Sequence, residues 1–274
     1  MRLRSVWGSV PGLMMAATVA VSMAACGGGS QSTSSTSADP ASPAATPAGL
    51  KVDTATAGDV KGTVTIDGMA PKNVAIRMNA DPVCLKAAQG PQLQETYAVG
   101  DDGKSLANVF VYVKDGLGNY VFDTPTEAAK IDQKECRYRP HVLGVRVGQP
   151  VQIVNSDPTL HNIHATPKAN PEFNNGQPIQ GMTMTHTFAA PEVMVPFKCD
   201  VHGWMNAYAG VVNHPYFAVT DKDGKFELKS LPAGTYTIEA WHEKLGTQEQ
   251  KVTLGEKESK DVPFTFKADA AATN

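Results

Sequence analysis

The segment FKCDVHGWMN sets Cys199, His202 and Met205 at two-residue spacings on one short stretch, and TLHNIHA, some forty residues earlier, supplies His161 and His164. A thiolate, two imidazoles and a thioether are the donor set of a mononuclear copper centre, with two His and one Cys roughly trigonal and a Met weakly axial. The thiolate donates strongly, and a long thioether bond tolerates both copper oxidation states, so the set suits one-electron transfer. Three donors on one loop need only one more from a neighbouring strand, and His161 is placed to supply it; His164 carries the same chemistry and is the alternative. Taken singly, Cys199 reads as a small buried hydrophobe, Met205 as core filler and His202 as a surface histidine. Together, in a strand-rich chain, they read as metal ligands. No second cysteine lies between Cys199 and Met205, as a binuclear copper centre would need, so one copper ion is expected. No GxSxG, HExxH or paired-carboxylate pattern accompanies these residues, and the chain does not read as an enzyme.

At these residues the chain resembles the cupredoxins. VGQPVQIVNSDPTLHNIH resembles the strand, turn and strand that lead to the first histidine ligand, and FKCDVHGWM resembles the closing ligand loop in its short, amicyanin-type form. The likeness covers residues 142–212 and implies a Greek-key β-sandwich holding one copper through His161, Cys199, His202 and Met205. It also implies that Asn162 ties the two ligand loops together from outside the ligand set. On this reading His202 is the ligand at the surface, and Trp204 beside it belongs to an apolar docking patch for a redox partner protein. The alternative for Trp204 is an aromatic lid that keeps water out. The expected function is a one-electron carrier cycling between Cu(I) and Cu(II). The alternatives are copper capture, storage or delivery without redox cycling, and surface binding or adhesion with a vestigial copper site.

The elements that must position these donors read as strands. Short β-branched or alternating runs recur between turn signals at 61–68, 108–113, 142–147, 150–155, 182–188, 193–199 and 207–212. Further runs follow at 217–220, 226–228, 235–241 and 250–254, and helix is expected only at 125–130 and 82–88. The fold class is therefore all-β. Roughly 210 residues exceed one sandwich of about 100, so a cupredoxin-like sandwich plus a smaller one is expected.

The smaller module begins in FAVTDKDGKFELKSLPAGTYTIEAWH, where a DG turn and an LPAG turn flank alternating strands that put Tyr236, Ile238 and Ala240 on one face. This stretch resembles the carboxypeptidase regulatory-like, transthyretin-type β-sandwich. Asp221 and Asp223 hint at a calcium loop, but Pro232 stands where the closing acidic ligand would fall, so a tight turn is expected. The expected limits are 58–212 for the copper module and 213–268 for the C-terminal module. The latter is short for a complete sandwich, so the early strand KGTVTIDG is expected to fold back against it.

Arg2 and Arg4 precede an apolar stretch at 13–25, which reads as a signal peptide over residues 1–25. Met23-Ala24-Ala25-Cys26 resembles the bacterial lipobox, which implies that Cys26 is lipidated; an ordinary signal peptide with an incidental cysteine is the alternative. Residues 26–57 are rich in Gly, Ser and Pro and read as a disordered tether, and 269–274 as a disordered tail. The expected location is the cell envelope, at the periplasmic face or the cell surface, with Gly27 favouring an outer membrane. With Cys26 and Cys199 assigned, Cys84 and Cys136 are expected to form a disulfide, two free buried thiols being the alternative. A net charge of −3 provides no basic field for nucleic acid.

Overall fold

The computed structural model describes residues 49–268 except residue 89; the signal peptide, Cys26, the tether as far as 48 and the tail 269–274 lie outside the described residues. Alternation of apolar and polar side chains puts most of the described chain into strands. In chain order these are β1 (Gly58–Asp67), β2 (Phe110–Asp115), β3 (Ala129–Lys134), β4 (Arg137–Arg139), β5 (Val142–Arg146) and β6 (Val151–Asn155). Next come β7 (His161–Ala165), β8 (Phe173–Gln177), β9 (Thr183–His186), β10 (Glu192–Lys198), β11 (Asn206–Val212) and β12 (Phe217–Val219). The last five are β13 (Lys225–Leu231), β14 (Gly234–His242), β15 (Gly246–Leu254), β16 (Ser259–Asp261) and β17 (Phe264–Lys267). One helix, α1 (Pro82–Ala87), occurs among the described residues. It starts where Asp81 Oδ1 accepts the Val83 and Cys84 N–H groups, and Pro82 presets the first turn.

Four sheets form two sandwiches. In the first, β5-β11-β10-β7-β8 faces β4-β3-β6-β9 across a core containing Ile131, Ile153, Ile163, Val195 and Phe197. In the second, β13-β1-β16, with β17 also on β1, faces β12-β2-β14-β15 across Val60, Val64, Val111, Leu228, Ile238 and Phe264. Phe110, Tyr112, Val142 and Val212 form a smaller cluster between them. The all-β expectation holds, with three local corrections.

The run 108–113, assigned to the copper module, supplies β2 of the second sandwich, where Val111 and Val113 pair with Ala240 and Ile238 of β14. The expected helix at 125–130 is an extended segment entering β3, because Ile131 is buried and β3 pairs in parallel with β6. The tether, expected to run to 57, is ordered from Leu50, whose N–H donates to Asn119 O and whose carbonyl accepts the Val121 N–H. β1 itself lies between β13 and β16. The turn at 221–225 is tight: Asp221 Oδ1 accepts the N–H groups of Asp223 and Lys225. Gly224 there has φ +71°, and a Cβ on it would sit 2.4 Å from Val64 O.

Candidate metal centre

The first sandwich brings the donors together at one end of its core. β10 and β11 form an antiparallel pair joined by the loop 199–205, which closes on itself through Cys199 N–H to Met205 O (3.1 Å) and Met205 N–H to His202 O (2.9 Å). β7 pairs with β10 at Ala165↔Phe197 and His164↔Lys198, so its first residue, His161, runs past the end of β10 and faces the loop. His161, Cys199 and His202 then present donor atoms that all lie within 4.8 Å of one another. The two imidazole Nδ1 atoms are 3.0 Å apart, and Cys199 Sγ is 3.9 Å from His202 Nδ1. All three residues, and Met205, are at most 2 % exposed.

Each imidazole is gripped at its other nitrogen by a carboxylate. His161 Nε2–H donates to Asp157 Oδ2 (2.9 Å) and His202 Nε2–H to Asp81 Oδ2 (2.9 Å). That choice of tautomer leaves both Nδ1 lone pairs turned toward each other and toward sulfur. Two such lone pairs at 3.0 Å need a positive charge between or beside them, a shared proton or a metal ion. The residues thus fit a mononuclear metal: a buried N,N,S donor set with a thioether residue at the end of the same loop, and both imidazoles fixed from behind.

The electrostatics agree. Burial pushes the Cys199 thiol up, but hydrogen bonds with His161 and His202 and from the Asn162 and His202 backbone outweigh it and bring the thiol down to about 6. Burial depresses His161, yet Asp157 and Cys199 raise it overall. Burial likewise depresses His202, and Cys199 and Asp81 raise it. Burial raises Asp157, while His161 and the Cys136 and Glu135 N–H groups hold it below the usual carboxylate range.

Asn162 is buried at the second position of β7. Its Oδ1 accepts the Asp200 N–H (2.7 Å) and lies 3.2 Å from Cys199 Sγ, and its amide donates to Asn174 Oδ1 (2.7 Å), joining β7 to the ligand loop. His164 turns away: Asp200 holds its Nδ1 at 2.9 Å and Glu172 its Nε2 at 2.8 Å, so His161 is the histidine beside Cys199. Cys84 and Cys136 form a disulfide with Cα atoms 5.5 Å apart, and Cys199 is free. One expectation is corrected: His202 is buried, because Asp81 and the residues around α1 cover its outer edge. Trp204 is half-buried, its ring 5.0 Å from that of His202 and its Nε1–H donating to Cys136 O. Sequence reasoning missed Asp81 and Asp157. Both stand in Asp-Pro turns, a signal that marks a turn or helix start but not a meeting with an imidazole.

Residues 207–267 match the carboxypeptidase regulatory-like domain. That span begins inside β11 and ends in β17, and the second sandwich also takes in β1 and β2 from far upstream. No curated protein matches the chain. Among solved structures it is weakly similar to a copper-containing nitrite reductase from Thermus scotoductus, at 20 % identity over 35 % of this chain and 24 % of that one, with TM-score 0.29. The chain thus spans about a quarter of the reductase's length. It is also weakly similar to a purple cupredoxin from Nitrosopumilus maritimus, at 23 % identity over 30 % of this chain and 98 % of that one, with TM-score 0.27. A Cu(I) form of an amicyanin mutant is 21 % identical over 32 % of this chain and 86 % of its own, with TM-score 0.28.

Proposed function

We propose that the protein is a mononuclear copper protein of the cell envelope, anchored by lipid at Cys26, that exchanges single electrons with a redox partner protein. The observation that carries this reading is the buried convergence of two imidazole Nδ1 atoms and one sulfur, with a carboxylate behind each imidazole. His161, Cys199 and His202 would hold the ion, with Met205, buried in the same cluster, as the weak fourth ligand. Bound there, copper supplies a Cu(I)/Cu(II) couple whose reorganisation is kept small by these donors. The protein's own part is to hold the donors still and exclude water. The loop's internal hydrogen bonds fix Cys199 and Met205, Asn162 joins the loop to β7, and the carboxylates fix the ring planes. No substrate bond is made or broken in this role. Rigid, covered ligands favour electron transfer over capture and delivery, which need ligands that open readily. Trp204, half-buried against His202, is the residue through which a docked partner would approach the centre.

Visible and EPR spectra of the Cu(II)-loaded protein and its Cys199→Ser variant test this. Intense sulfur-to-copper charge transfer with narrow parallel hyperfine splitting is expected, and its loss in the variant. A colourless protein that still binds Cu(I) transfers the reading to copper delivery, and one that binds no copper removes the ligand assignment.

A further inference from the structure

The two carboxylates behind the imidazoles come from distant parts of the chain, yet one covalent bond joins their supports. Asp81 Oδ1 accepts the N–H groups of Val83 (2.7 Å) and Cys84 (3.3 Å), while its Oδ2 accepts His202 Nε2–H and the Thr159 hydroxyl (3.0 Å). Asp157, in the turn between β6 and β7, accepts the Glu135 N–H at Oδ1 (2.8 Å). Its Oδ2 accepts the Cys136 N–H (2.8 Å) and His161 Nε2–H. Each carboxylate therefore holds one imidazole and the backbone amide of one half-cystine, and the two half-cystines are bonded to each other. The circuit runs His202, Asp81, Cys84, Cys136, Asp157, His161, and closes where the two Nδ1 atoms meet at 3.0 Å. Cys84 and Cys136 are fully buried, and Cys84 Sγ lies 3.5 Å from His202 Nε2.

α1 has six residues, too few to be stable by itself, so the placement of Asp81 depends on what fastens α1 to the sandwich. The disulfide is the covalent part of that fastening, beside the Thr159 hydrogen bond to Asp81 and the burial of Met78 in the core. On the other side, Cys136 has φ +53° next to Glu135 at φ +56°, an unusual backbone whose two N–H groups both end on Asp157. A carboxylate that accepts Nε2–H fixes the tautomer, aims Nδ1 at the metal and makes the imidazole a stronger donor.

We propose that Asp81 and Asp157 are positioning residues for the two imidazole ligands, and that the Cys84–Cys136 disulfide keeps both in place so that the Nδ1 atoms are aimed before a metal arrives. The functional meaning rests on the copper reading above, but the arrangement belongs to the metal-free protein and is tested there first.

The variants are Asp81→Asn, Asp157→Asn and the double substitution Cys84→Ala with Cys136→Ala. Asparagine at 81 still caps α1 through its side-chain oxygen but turns an NH2 group toward His202 Nε2–H and the Thr159 hydroxyl, so it removes the Oδ2 acceptor and spares the cap. The first measurement is 15N NMR of the imidazoles in metal-free full-length protein. Native protein should show Nε2-bound protons on His161 and His202 that exchange slowly with solvent. Asp81→Asn should remove protection at His202 alone, Asp157→Asn at His161 alone, and the double cysteine variant at both. The two Asp→Asn variants retain the disulfide, so the test survives if the cysteine variant fails to fold. The second measurement is copper affinity and reduction potential. Each Asp→Asn variant should bind Cu(II) about 10- to 100-fold more weakly, with the potential shifted upward as Cu(II) loses a strong donor. Unchanged His202 signals in Asp81→Asn, or both protected protons surviving in a folded double cysteine variant, overturn the proposal. The NMR pattern in a protein that binds no copper supports the positioning and removes the copper reading instead.

Discussion

The two sandwiches share an architecture and differ in what they bury. The second closes on a core of Val, Leu, Ile, Phe and Tyr, with Tyr236 satisfying its hydroxyl on Pro232 O at 2.6 Å, and it also buries Thr220, Glu239, His214 and His242. The first ends in buried polar groups: Gln133, Asn155, Asp157, His161, Asn162, Gln177 and His202. Such groups cost about 1–3 kcal/mol each when left without a partner, and here nearly every one is bonded. Asn155 donates to Thr159 O and Gln177 O, Gln133 to Gln177 Oε1, and the imidazoles to carboxylates. Histidine shows the contrast most clearly. In the second sandwich burial dominates at His214, which Arg146 depresses further, and at His242, where it and His141 outweigh Glu243, and each is pushed down to about 4. His161 and His202, equally buried, are raised because each has a carboxylate and the Cys199 sulfur as neighbours. Where burial dominates, a histidine is lowered; where a carboxylate and a sulfur outweigh burial, it is raised.

The sharpest way to break this comparison is to damage one sandwich and read the other. Ile238→Ala, at a fully buried position of the second core, should cost about 2–5 kcal/mol in urea unfolding. The imidazole NMR signals of the first sandwich should persist at low denaturant, and their joint loss would show that the two cores are not separable. Acid comes next. Folded His214 and His242 bind a proton less readily than the unfolded chain, whose ordinary value is 6.5, so unfolding takes up protons as pH falls from 6.5 toward 4. Stability is fully present above that window and should fall through it by roughly 3 kcal/mol per histidine, a slope that His214→Gln with His242→Gln should flatten. Asn162→Ala should cost about 1–2 kcal/mol by freeing the buried end of the ligand loop, and should shift the charge-transfer band of the copper-loaded protein. At the small end, Lys51→Ala removes an exposed pair with Asp123 and should change unfolding by less than about 1 kcal/mol, leaving every site signal in place.

Much of the centre was legible because its signal is local. Cys199, His202 and Met205 share one loop, so their types and spacing announce a donor set before any tertiary contact is known. The cysteine count likewise pointed to the Cys84–Cys136 bond. The strands that were missed are short or polar: FNNGQ of β8 has no apolar alternation and is a strand because β7 supplies its hydrogen-bond partners. The burial of His202 was also illegible. Residues 69–95, from which α1 and Asp81 come, carry no hydrophobic period, and their position over the centre follows from a disulfide, long-range hydrogen bonds and the packing of Ile76, Met78 and Ala88 on the core.

From the sequence by itself come the all-β class and the types and order of the candidate donors, because each is encoded within a few neighbouring residues. Only the tertiary structure decides that His161 rather than His164 faces the sulfur, that β2 joins the C-terminal strands, and that two aspartates joined through a disulfide stand behind the imidazoles. These depend on contacts between residues tens of positions apart. Which of them form is set by the packing of whole sheets, and no local pattern records it.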